Sequence, residues 1–452
     1  MIANNSANCT FLSSSEFDWL IASLGYFEPA PVVAVAVSGG ADSMALLLLA
    51  NDWAKAKNGK VVALTVNHNL RSEAAAEALQ VRKWCEYLGI DQYTLCWQPP
   101  SPIHTSIQEN ARNARYELML EWCRENNILH LLTAHHLDDH VETMFFRLAR
   151  GSGLDGLSAI SAQRIVEGVR LLRPLLKIPK ARLITTLKKR NQEWLEDPSN
   201  HNSSYARVHI RQQLAQIDNN IDIKKRSVII AEQFGKFRNI LENKLVSQIT
   251  NCVSVFSKGY ATINIQEFNN LDGEISLKAL ASLIRTLSGS DHPPRTSQLQ
   301  SLKQLIKNNE LNSKYSIGGL LFEAVKGNII LVYREYNAIS PPIVVEPDMS
   351  VLWDKRFVIK ISSDTKNTHI RVQALGSRGL VEVRKNAKHL LKNMPPDRII
   401  RTFPSLWSLE ELLCVPHIVY MNEKIRVFST MPDIQFHPAK PLADSCFSVM
   451  NS

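Results

Sequence analysis

The chain has 452 residues, of which 45% are hydrophobic and 21% are charged. This length and composition exclude a disordered or low-complexity protein and predict about three domains of roughly 150 residues each. The longest apolar runs are shorter than the ~18 residues that a membrane span requires. The first 30 residues lack the features of a signal or transit peptide. We therefore expect a cytoplasmic protein that does not enter the membrane.

The net charge is +9, and two segments concentrate the basic residues. Gly168–Arg190 contains eight basic and no acidic residues, and Arg371–Arg401 contains eight basic and two acidic ones. A single basic run is often only a solvated face, but two in one chain favour a polyanionic partner such as nucleic acid. The seven cysteines form no C-x-x-C pair, which predicts reduced thiols and excludes a zinc ribbon or a cysteine-held iron–sulfur cluster.

The first 215 residues alternate short apolar strands with helices. The predicted strands are Pro31–Val37, Val61–Val66, Asp91–Trp97 and Leu129–Ala134, and the predicted helices are Ala41–Ala56, Ser72–Leu88 and Ser106–Asn126. This order predicts an α/β domain with a parallel sheet covered on both faces. A ligand is then expected at the carboxyl ends of the strands.

The pattern changes after about Arg211, and residues 216–336 predict a mainly helical domain. Its helices are expected over Val228–Val253, Leu277–Leu287 and Ser297–Asn308, with strand-like segments between them.

Prolines in residues 337–350 predict a linker. Residues 351–440 predict a small α+β domain. Its strands are expected at Phe357–Ile361, Ile370–Ala374 and Val381–Val383, and its helix near Ala387–Asn393.

The sequence Ser-Gly-Gly-Ala-Asp-Ser lies between the first strand and the first helix of the α/β domain and predicts a phosphate-binding loop. Its glycines allow backbone N–H groups to approach an anion, its hydroxyls add donors, and the helix dipole favours negative charge. A carboxylate in such a loop is repelled by phosphate unless it holds a bridging Mg²⁺. The alternative is an ordinary strand-to-helix turn with an Asp cap. The loop is not a Walker A motif, since no Lys follows the glycines. The residues concerned are Ser38, Gly39, Gly40, Ala41, Asp42 and Ser43.

A second polar cluster, His135–Thr143, follows the fourth strand and opens a helix. Asp139 and Glu142 are spaced i,i+3 and share one helix face. Two adjacent carboxylates favour a role in Mg²⁺ binding or as a general base, because like charges raise one pKa and attract a cation. The alternative for Asp138 is that it caps the helix.

The histidines of this cluster leave two interpretations open. His136 and His140 have the i,i+4 spacing of a zinc-binding H-E-x-x-H helix, but Leu137 stands where that motif has its catalytic Glu. His135 and His136 are either packed side chains or phosphate ligands.

Arginines recur at helical spacing near these clusters. Arg112 and Arg115 lie one turn apart, and Arg207 and Arg211 end the α/β domain. Arginine binds phosphate through two parallel hydrogen bonds, although on an exposed helix it has no such role.

Taken together and in this order, seven segments resemble the motifs of the tRNA(Ile)-lysidine synthetase family over about Ala34–Arg211. The segments are SGGADS, VNHNLR, ENARNARY, AHHLDDHVET, RLARGSGLDGL, RPLL and EDPSN. SGGADS resembles the PP-loop of the N-type ATP pyrophosphatases, which adenylate a substrate and release pyrophosphate.

The resemblance implies ATP-dependent attachment of L-lysine to C2 of the wobble cytidine of a CAU-anticodon tRNA(Ile), with Mg²⁺ as the metal. It also implies that the later domains bind tRNA. A homodimer is compatible with it.

The resemblance assigns roles to individual residues. Ser38–Ser43, His68 and His135 would bind ATP, and Asp42, Asp139 and Glu142 would hold Mg²⁺ and act in catalysis. The remaining residues with expected catalytic roles are Arg112, Arg115, Arg207 and Arg211. Two positions differ from the family pattern, since His140 replaces a Gln and Val208 an Asn.

Two alternatives remain at this point. One is another PP-loop enzyme that adenylates tRNA, although a thiolase would require a cluster of cysteines near the site. The other is a non-catalytic tRNA-binding protein, against which the intact Asp42, Asp139 and Glu142 argue.

Overall fold

The structure is a computed structural model in which the chain forms two compact units. The first unit comprises Met1–Ile240 with Ser445–Ser452, and the second comprises Leu241–Asp444. Only the backbone is described for residues 107–112, 154 and 221–225. The residues that the structure describes are 10–67, 74–97, 107–196, 221–290, 292–362, 369–425, 427–438, 440–443 and 445–450.

The first unit is built on a six-stranded sheet with the order β3-β2-β1-β4-β6-β5. The strands are β1 (Val32–Ala36), β2 (Lys60–Asn67), β3 (Asp91–Cys96), β4 (His130–Leu132), β5 (Gln163–Val166) and β6 (Val169–Leu172). In the spatial series β3-β2-β1-β4-β6, each strand is parallel to its neighbours. Strand β5 pairs with β6 and is antiparallel to it. The predicted parallel sheet is confirmed.

The helices of the first unit cover both faces of this sheet. They are α1 (Ser14–Ala22), α2 (Ala41–Ala56), α3 (Ala74–Leu88), α4 (Ile107–Glu125), α5 (Leu137–Ala149), α6 (Leu154–Leu157), α7 (Lys180–Lys189) and α8 (Ile221–Cys252), the last ending in the second unit. Because side chains alternate along a strand, Val33 and Val35 of β1 enter the core beneath α2, whereas Ala34 enters the core beneath α4. Helix α2 is apolar nearly all round because it packs against the sheet, α1 and α7.

The strand order creates one crevice where a ligand is expected. Strand β1 has β2 on one side and β4 on the other, so the connections after β1 and β4 leave in opposite directions from the same sheet edge. The segment after β1 is Ser38–Ser43, and the segment after β4 leads into His135–Asp139. The two predicted polar clusters therefore meet at this edge.

The segment Ser445–Met450 packs into the first unit although it follows the second unit in sequence. The amide of Ala162 donates to the Ser448 carbonyl over 2.8 Å, and Phe447 and Met450 are both buried. The side chain of Met450 belongs to the core that also contains α2.

The second unit contains three antiparallel sheets with helices. The helices are α9 (Ile265–Asn269), α10 (Gly273–Ser288), α11 (Thr296–Lys307), α12 (Gly376–Ala387) and α13 (Asp397–Ile400). Short 3₁₀ turns cover Tyr336–Ala338, Lys388–Leu391 and Pro416–Ile418.

The predicted mainly helical region also contains a five-stranded sheet with the order β7-β8-β11-β10-β9. Its strands are β7 (Val253–Phe256), β8 (Tyr260–Asn264), β9 (Tyr315–Ile317), β10 (Leu320–Val325) and β11 (Ile329–Arg334). Apolar faces of α10 and α11 pack on it.

The last two sheets have the orders β12-β15-β16-β17-β18 and β13-β14-β19. Their strands are β12 (Ile343–Val345), β13 (Ser350–Trp353), β14 (Phe357–Lys360), β15 (Ile370–Ala374), β16 (Pro404–Ser408), β17 (Glu411–Val415), β18 (Tyr420–Met421) and β19 (Asp433–Phe436). The segment predicted as a linker, residues 337–350, thus contains β12, which pairs with β15.

The prediction of a strand at Val381–Val383 is wrong, because these residues lie within α12. Leu380 and Val383 are both buried while Val381 is 62% exposed, which is helical and not alternating spacing. Gly379 permits the close packing of this helix, since a Cβ there would lie 3.0 Å from the Trp407 ring.

Among the described helices, none is long and apolar enough to cross a bilayer.

Candidate active site

The loop Ser38–Ser43 is held in place by its own hydroxyls. The Ser43 hydroxyl accepts a hydrogen bond from the Ser38 amide (3.2 Å) and donates to the Gly40 carbonyl (2.9 Å). Helix α2 begins after Gly40, and no described side chain caps it there. Its first amides therefore face the crevice as donors for an anion.

Gly39 is required by both conformation and space. Its φ is +83°, and a Cβ at this position would lie 2.6 Å from Cδ1 of Leu195. The Leu195 amide donates to the Gly39 carbonyl over 2.9 Å, which fixes the loop to the segment that contains Leu195. A side chain at position 39 would displace the loop.

Asp42 lies in the first turn of α2, and only one of its two carboxylate oxygens has partners among the described residues. Its Oδ2 lies 3.1 Å from Nζ of Lys180 and 3.5 Å from Nε2 of His136. Its Oδ1 is buried without a hydrogen-bond partner among the described residues. Burial opposes ionisation of Asp42, but the attraction of His136 and Lys180 outweighs it and holds the pKa of this carboxyl below its usual range.

His136 occupies the centre of the carboxylates. Its Nε2 lies 3.5 Å from Oδ2 of Asp42 and 3.5 Å from Oδ2 of Asp139, and its Nδ1 lies 3.6 Å from Oδ2 of Asp138. Burial opposes protonation of this imidazole, but the Asp42 hydrogen bond and the three negative charges raise the pKa of His136 above its usual value. The three aspartates therefore favour the protonated form of His136.

The two neighbouring aspartates of α5 also form local structural bonds. Asp139 Oδ2 accepts the His136 amide over 3.0 Å and so caps its own helix. Asp138 Oδ2 accepts the Lys180 amide over 3.0 Å and caps α7 instead. The sequence assigns the alternative of capping α5 to Asp138, whereas in the structure Asp139 has this role and Asp138 caps α7.

The cluster fits a hard cation such as Mg²⁺. Asp42 Oδ1, which has no hydrogen-bond partner among the described residues, is an oxygen suited to bind the cation, and Asp139 supplies a second carboxylate beside the same imidazole. The described residues contain no group of three His, Cys, Asp or Glu side chains arranged to hold a metal. Two carboxylates suffice, because Mg²⁺ usually takes one or two from the protein and the remaining ligands from phosphate and water.

The other predicted site residues have different outcomes. His135 bonds Thr133 through Nδ1 at 3.1 Å, and Glu142 is a half-buried residue of α5. The Arg115 guanidinium lies 5.5 Å from the centre of the Tyr116 ring. The side chain of Arg112 is not described. His68, Arg207 and Arg211 lie outside the described residues.

The sequence predictions miss one residue of the cluster, Lys180. They name His136 but leave its role open between a zinc ligand, a packed side chain and a phosphate ligand. The signal for Lys180 is the basic run Gly168–Arg190 together with Pro179, which is typical of a helix start. The distance to Asp42 cannot be read from a separation of 138 residues.

The fold and the loop define the class of protein. Residues 13–217 match the family described as the PP-loop domain, which agrees with the strand, glycine loop and helix seen here. The first unit is therefore a PP-loop ATP-binding domain.

Similarity to curated relatives extends beyond this domain. A tRNA(Ile)-lysidine synthase of Orientia tsutsugamushi is 33% identical over 418 residues, covering 88% of this chain and 92% of the relative. The proteins of the same name from Rickettsia felis and Rickettsia prowazekii are 33% and 32% identical, each covering 90% of this chain and 93% of the relative. The chain belongs to the tRNA(Ile)-lysidine synthase family, a family of ligases.

Proposed function

We propose that this enzyme joins L-lysine to C2 of the wobble cytidine of a CAU-anticodon tRNA(Ile) in two steps. In the first step the C2 oxygen attacks the α-phosphorus of ATP and pyrophosphate leaves. In the second step the lysine ε-amine attacks C2, and AMP departs with the former C2 oxygen. Adenylation is needed because this oxygen is otherwise a poor leaving group.

The observation that carries the proposal is the position of Asp42. Asp42 lies at the start of α2, where the helix dipole favours a bound anion. One oxygen of its carboxylate is buried and has no hydrogen-bond partner among the described residues. For a structural aspartate this is unfavourable, because buried polar atoms are normally hydrogen-bonded. It is the arrangement expected where a cation and a triphosphate share the site.

Several residues of the chain have proposed roles toward ATP and Mg²⁺. The loop Ser38–Ser43, with His68 and His135, binds ATP. Asp42 holds Mg²⁺ together with Asp139 or Glu142. When bound, Mg²⁺ neutralises charge on the departing pyrophosphate.

Other residues act on the reacting groups. The ε-amine of lysine is protonated at pH 7 and must lose a proton before it attacks C2. The carboxylate of Asp139 or Glu142 that does not hold Mg²⁺ takes this proton. Four arginines stabilise charge at the α-phosphate. They are Arg112, Arg115, Arg207 and Arg211.

The second unit offers basic residues for tRNA binding in the segment Arg371–Arg401, which includes α12 and the turn that follows it. Three of the eight basic residues in Arg371–Arg401 are engaged in ion pairs, namely Arg378, Arg384 and Arg398. The other five are exposed and have no ion-pair partner among the described residues. They are Arg371, Lys385, Lys388, Lys392 and Arg401. Exposed cations of this kind contact phosphates without reading sequence.

The direct test is mass spectrometry of nucleosides after incubation of a CAU-anticodon tRNA(Ile) with the protein, ATP, Mg²⁺ and lysine. We expect lysidine in place of the wobble cytidine, with AMP and pyrophosphate in equal amounts. Omission of lysine should leave adenylated tRNA, and the same tRNA with uridine at the wobble position should give no product. Absence of lysidine from folded, ATP-binding protein would contradict the proposal.

Two expectations from the sequence stay predictions. A homodimer is tested by sedimentation at several protein concentrations, and cytoplasmic location by fractionation of cells that express the protein.

A further inference from the structure

Lys180 joins two parts of the ATP site through different atoms. Its backbone amide donates to Asp138 Oδ2 over 3.0 Å, so the start of α7 is fixed to the acidic cluster. Its side-chain Nζ lies 3.1 Å from Asp42 Oδ2. The side chain is 46% exposed, whereas that of His136, the other partner of Asp42, is 7% exposed. Lys180 is therefore anchored at its backbone, and its ammonium group is accessible to a ligand.

The phosphate loop needs a cation that it does not itself contain. Its six residues include one acid and no base. In a Walker A motif the Lys that follows the glycines reaches the β- and γ-phosphates, and this loop has no such Lys. A triphosphate that enters here also meets the carboxylates of Asp42 and Asp139, which both lie 3.5 Å from Nε2 of His136. A half-exposed ammonium at Asp42 is suited to offset the repulsion between these carboxylates and the phosphates.

We propose that Lys180 is a phosphate-binding residue that exchanges Asp42 for the β- and γ-phosphates when ATP binds. In the ligand-free protein its ammonium neutralises Asp42, and in the ATP complex it neutralises the pyrophosphate portion and frees the Asp42 carboxylate. It therefore makes the site favour ATP over AMP. This inference rests on the proposed function only in placing ATP at the loop Ser38–Ser43.

A structural ion pair makes a different prediction. If Lys180 only connects α7 to the loop, its loss lowers the melting temperature of the ligand-free protein and weakens the binding of every nucleotide to the same extent. If it binds the β- and γ-phosphates, its loss weakens the binding of ATP. The affinity for AMP, which lacks these phosphates, is then unchanged. The ratio of the two dissociation constants separates the two roles.

The experiment compares Lys180→Met and Lys180→Arg with the wild type by equilibrium binding of ATP and AMP, without tRNA or lysine. Lys188→Met is the matched control, because Lys188 is an exposed lysine in the last turn of the same helix. We expect Lys180→Met to weaken ATP binding about tenfold or more and AMP binding less than about twofold, since a charge-assisted hydrogen bond is removed. Lys180→Arg should recover most of the affinity, and Lys188→Met should bind both nucleotides as the wild type does.

Equal weakening of ATP and AMP, or no weakening of either, would overturn the assignment. Thermal melting of each variant without nucleotide shows whether the fold is retained. If Lys180→Met does not fold, the ATP-to-AMP ratio of a Lys180→Gln variant decides in the same way. Lysidine formation by the wild type is measured separately, so ATP discrimination without lysidine would overturn the proposed function and leave this inference standing.

Discussion

Two aspartates, the half-buried Asp42 in the first unit and the fully buried Asp354 in the second, differ in how their carboxylates are bonded. Asp354 in the second unit has no exposed side-chain surface and accepts four hydrogen bonds, from the Ser340 amide, twice from Arg334 and once from Arg356. Asp42 has both of its partners on one oxygen and none on the other among the described residues. The oxygens of Asp354 are thus fully used by groups of the same unit, whereas one oxygen of Asp42 is left for a ligand, as the proposed function requires.

The two sites also differ in what holds them. Asp354 lies between two guanidinium groups of the same unit, and Arg334 and Arg356 in turn donate to the carbonyls of Gly319 and Gly259. Around Asp42 the partners are a histidine and a half-exposed lysine. We therefore expect substitution to separate activity from stability at the two positions.

The largest expected effect is on activity at Asp42. Asp42→Asn keeps the size of the side chain and removes the charge, so adenylation of tRNA should fall about a thousandfold or more while stability changes by no more than ~1 kcal/mol. Asp52→Asn is the control, because Asp52 lies on the same helix and pairs with Arg190 over 2.7 Å at the surface. Adenylation and urea unfolding measure the two effects. An active Asp42→Asn enzyme would remove the basis for the proposed site.

The largest expected effect on stability is at Asp354. Asp354→Ala leaves Arg334 and Arg356 buried without their counter-charge, and removal of one partner of a buried pair costs about 3–5 kcal/mol. The control is Asp348→Ala, because Asp348 is exposed and, like Asp354, has a positive φ that Ala tolerates poorly. Urea unfolding should show a cost of no more than about 2 kcal/mol for the control. An equal loss of unfolding free energy in the two variants would show that the hydrogen bonds of Asp354 do not stabilise the fold.

A third substitution tests whether an aspartate can serve both purposes. Asp139 caps α5 and also lies beside His136. Asn caps helices as well as Asp does, so Asp139→Asn should retain stability within ~1 kcal/mol while turnover falls about a hundredfold. Glu142→Gln should likewise lose activity. Near-normal turnover of Asp139→Asn would leave capping as the only role of this residue.

The parts of the molecule differ in how far the sequence predicts them. The β1–loop–α2 unit is predictable because one short segment contains the strand, the glycines and the helix start, and α2 occurs at Ala41–Ala56 as expected. The prediction of a strand at Val381–Val383 is wrong because three residues are too few to distinguish the hydrophobic pattern of a strand from that of a helix. These residues belong to α12, which packs closely through Gly379.

The site is predictable where its residues are local in sequence and not where tertiary packing decides. Asp42 and Asp139 follow neighbouring strands, so their approach is expected from the parallel sheet. The positions of His136 and Lys180 depend on the rotation and placement of α5 and α7, which no local pattern specifies. Likewise, nothing in the sequence shows that Asp354 accepts four bonds.

Acid pH should affect both units through buried neutral histidines. Burial, with the nearby Arg147, lowers the pKa of His140 to about 4, and burial, with Lys258 and Arg356, lowers the pKa of His417 to about 4. The unfolded chain binds a proton below its ordinary pKa of about 6.5, and the folded chain does not until about 4, so stability declines as the pH falls between these values. The decline is up to about 3 kcal/mol for each histidine.

His140→Gln and His417→Gln each remove one of these titrations, in the first and the second unit. Thermal melting between pH 7 and pH 4 should show a shallower acid decline for each variant than for the wild type. An unchanged slope would mean that the histidine is protonated or solvated in the folded protein.

The smallest expected effect concerns the exposed cations of α12 and the turn after it. These cations form no ion pair among the described residues, whereas the two arginines beside Asp354 do. Lys385, Lys388 and Lys392 are replaced by Gln together, because a truncation would also remove Ser445–Met450 from the first unit. If they bind phosphates, tRNA affinity should fall about three- to tenfold, and the slope of log K against log salt should decrease by up to about 3, close to one unit for each phosphate that is no longer neutralised. The control replaces Lys55, Lys60 and Lys83, three exposed lysines of the first unit. Filter binding at several salt concentrations measures both quantities, and ATP binding should be unchanged in both variants. Equal affinity and slope in the two triple variants would show that the basic run is only a solvated face.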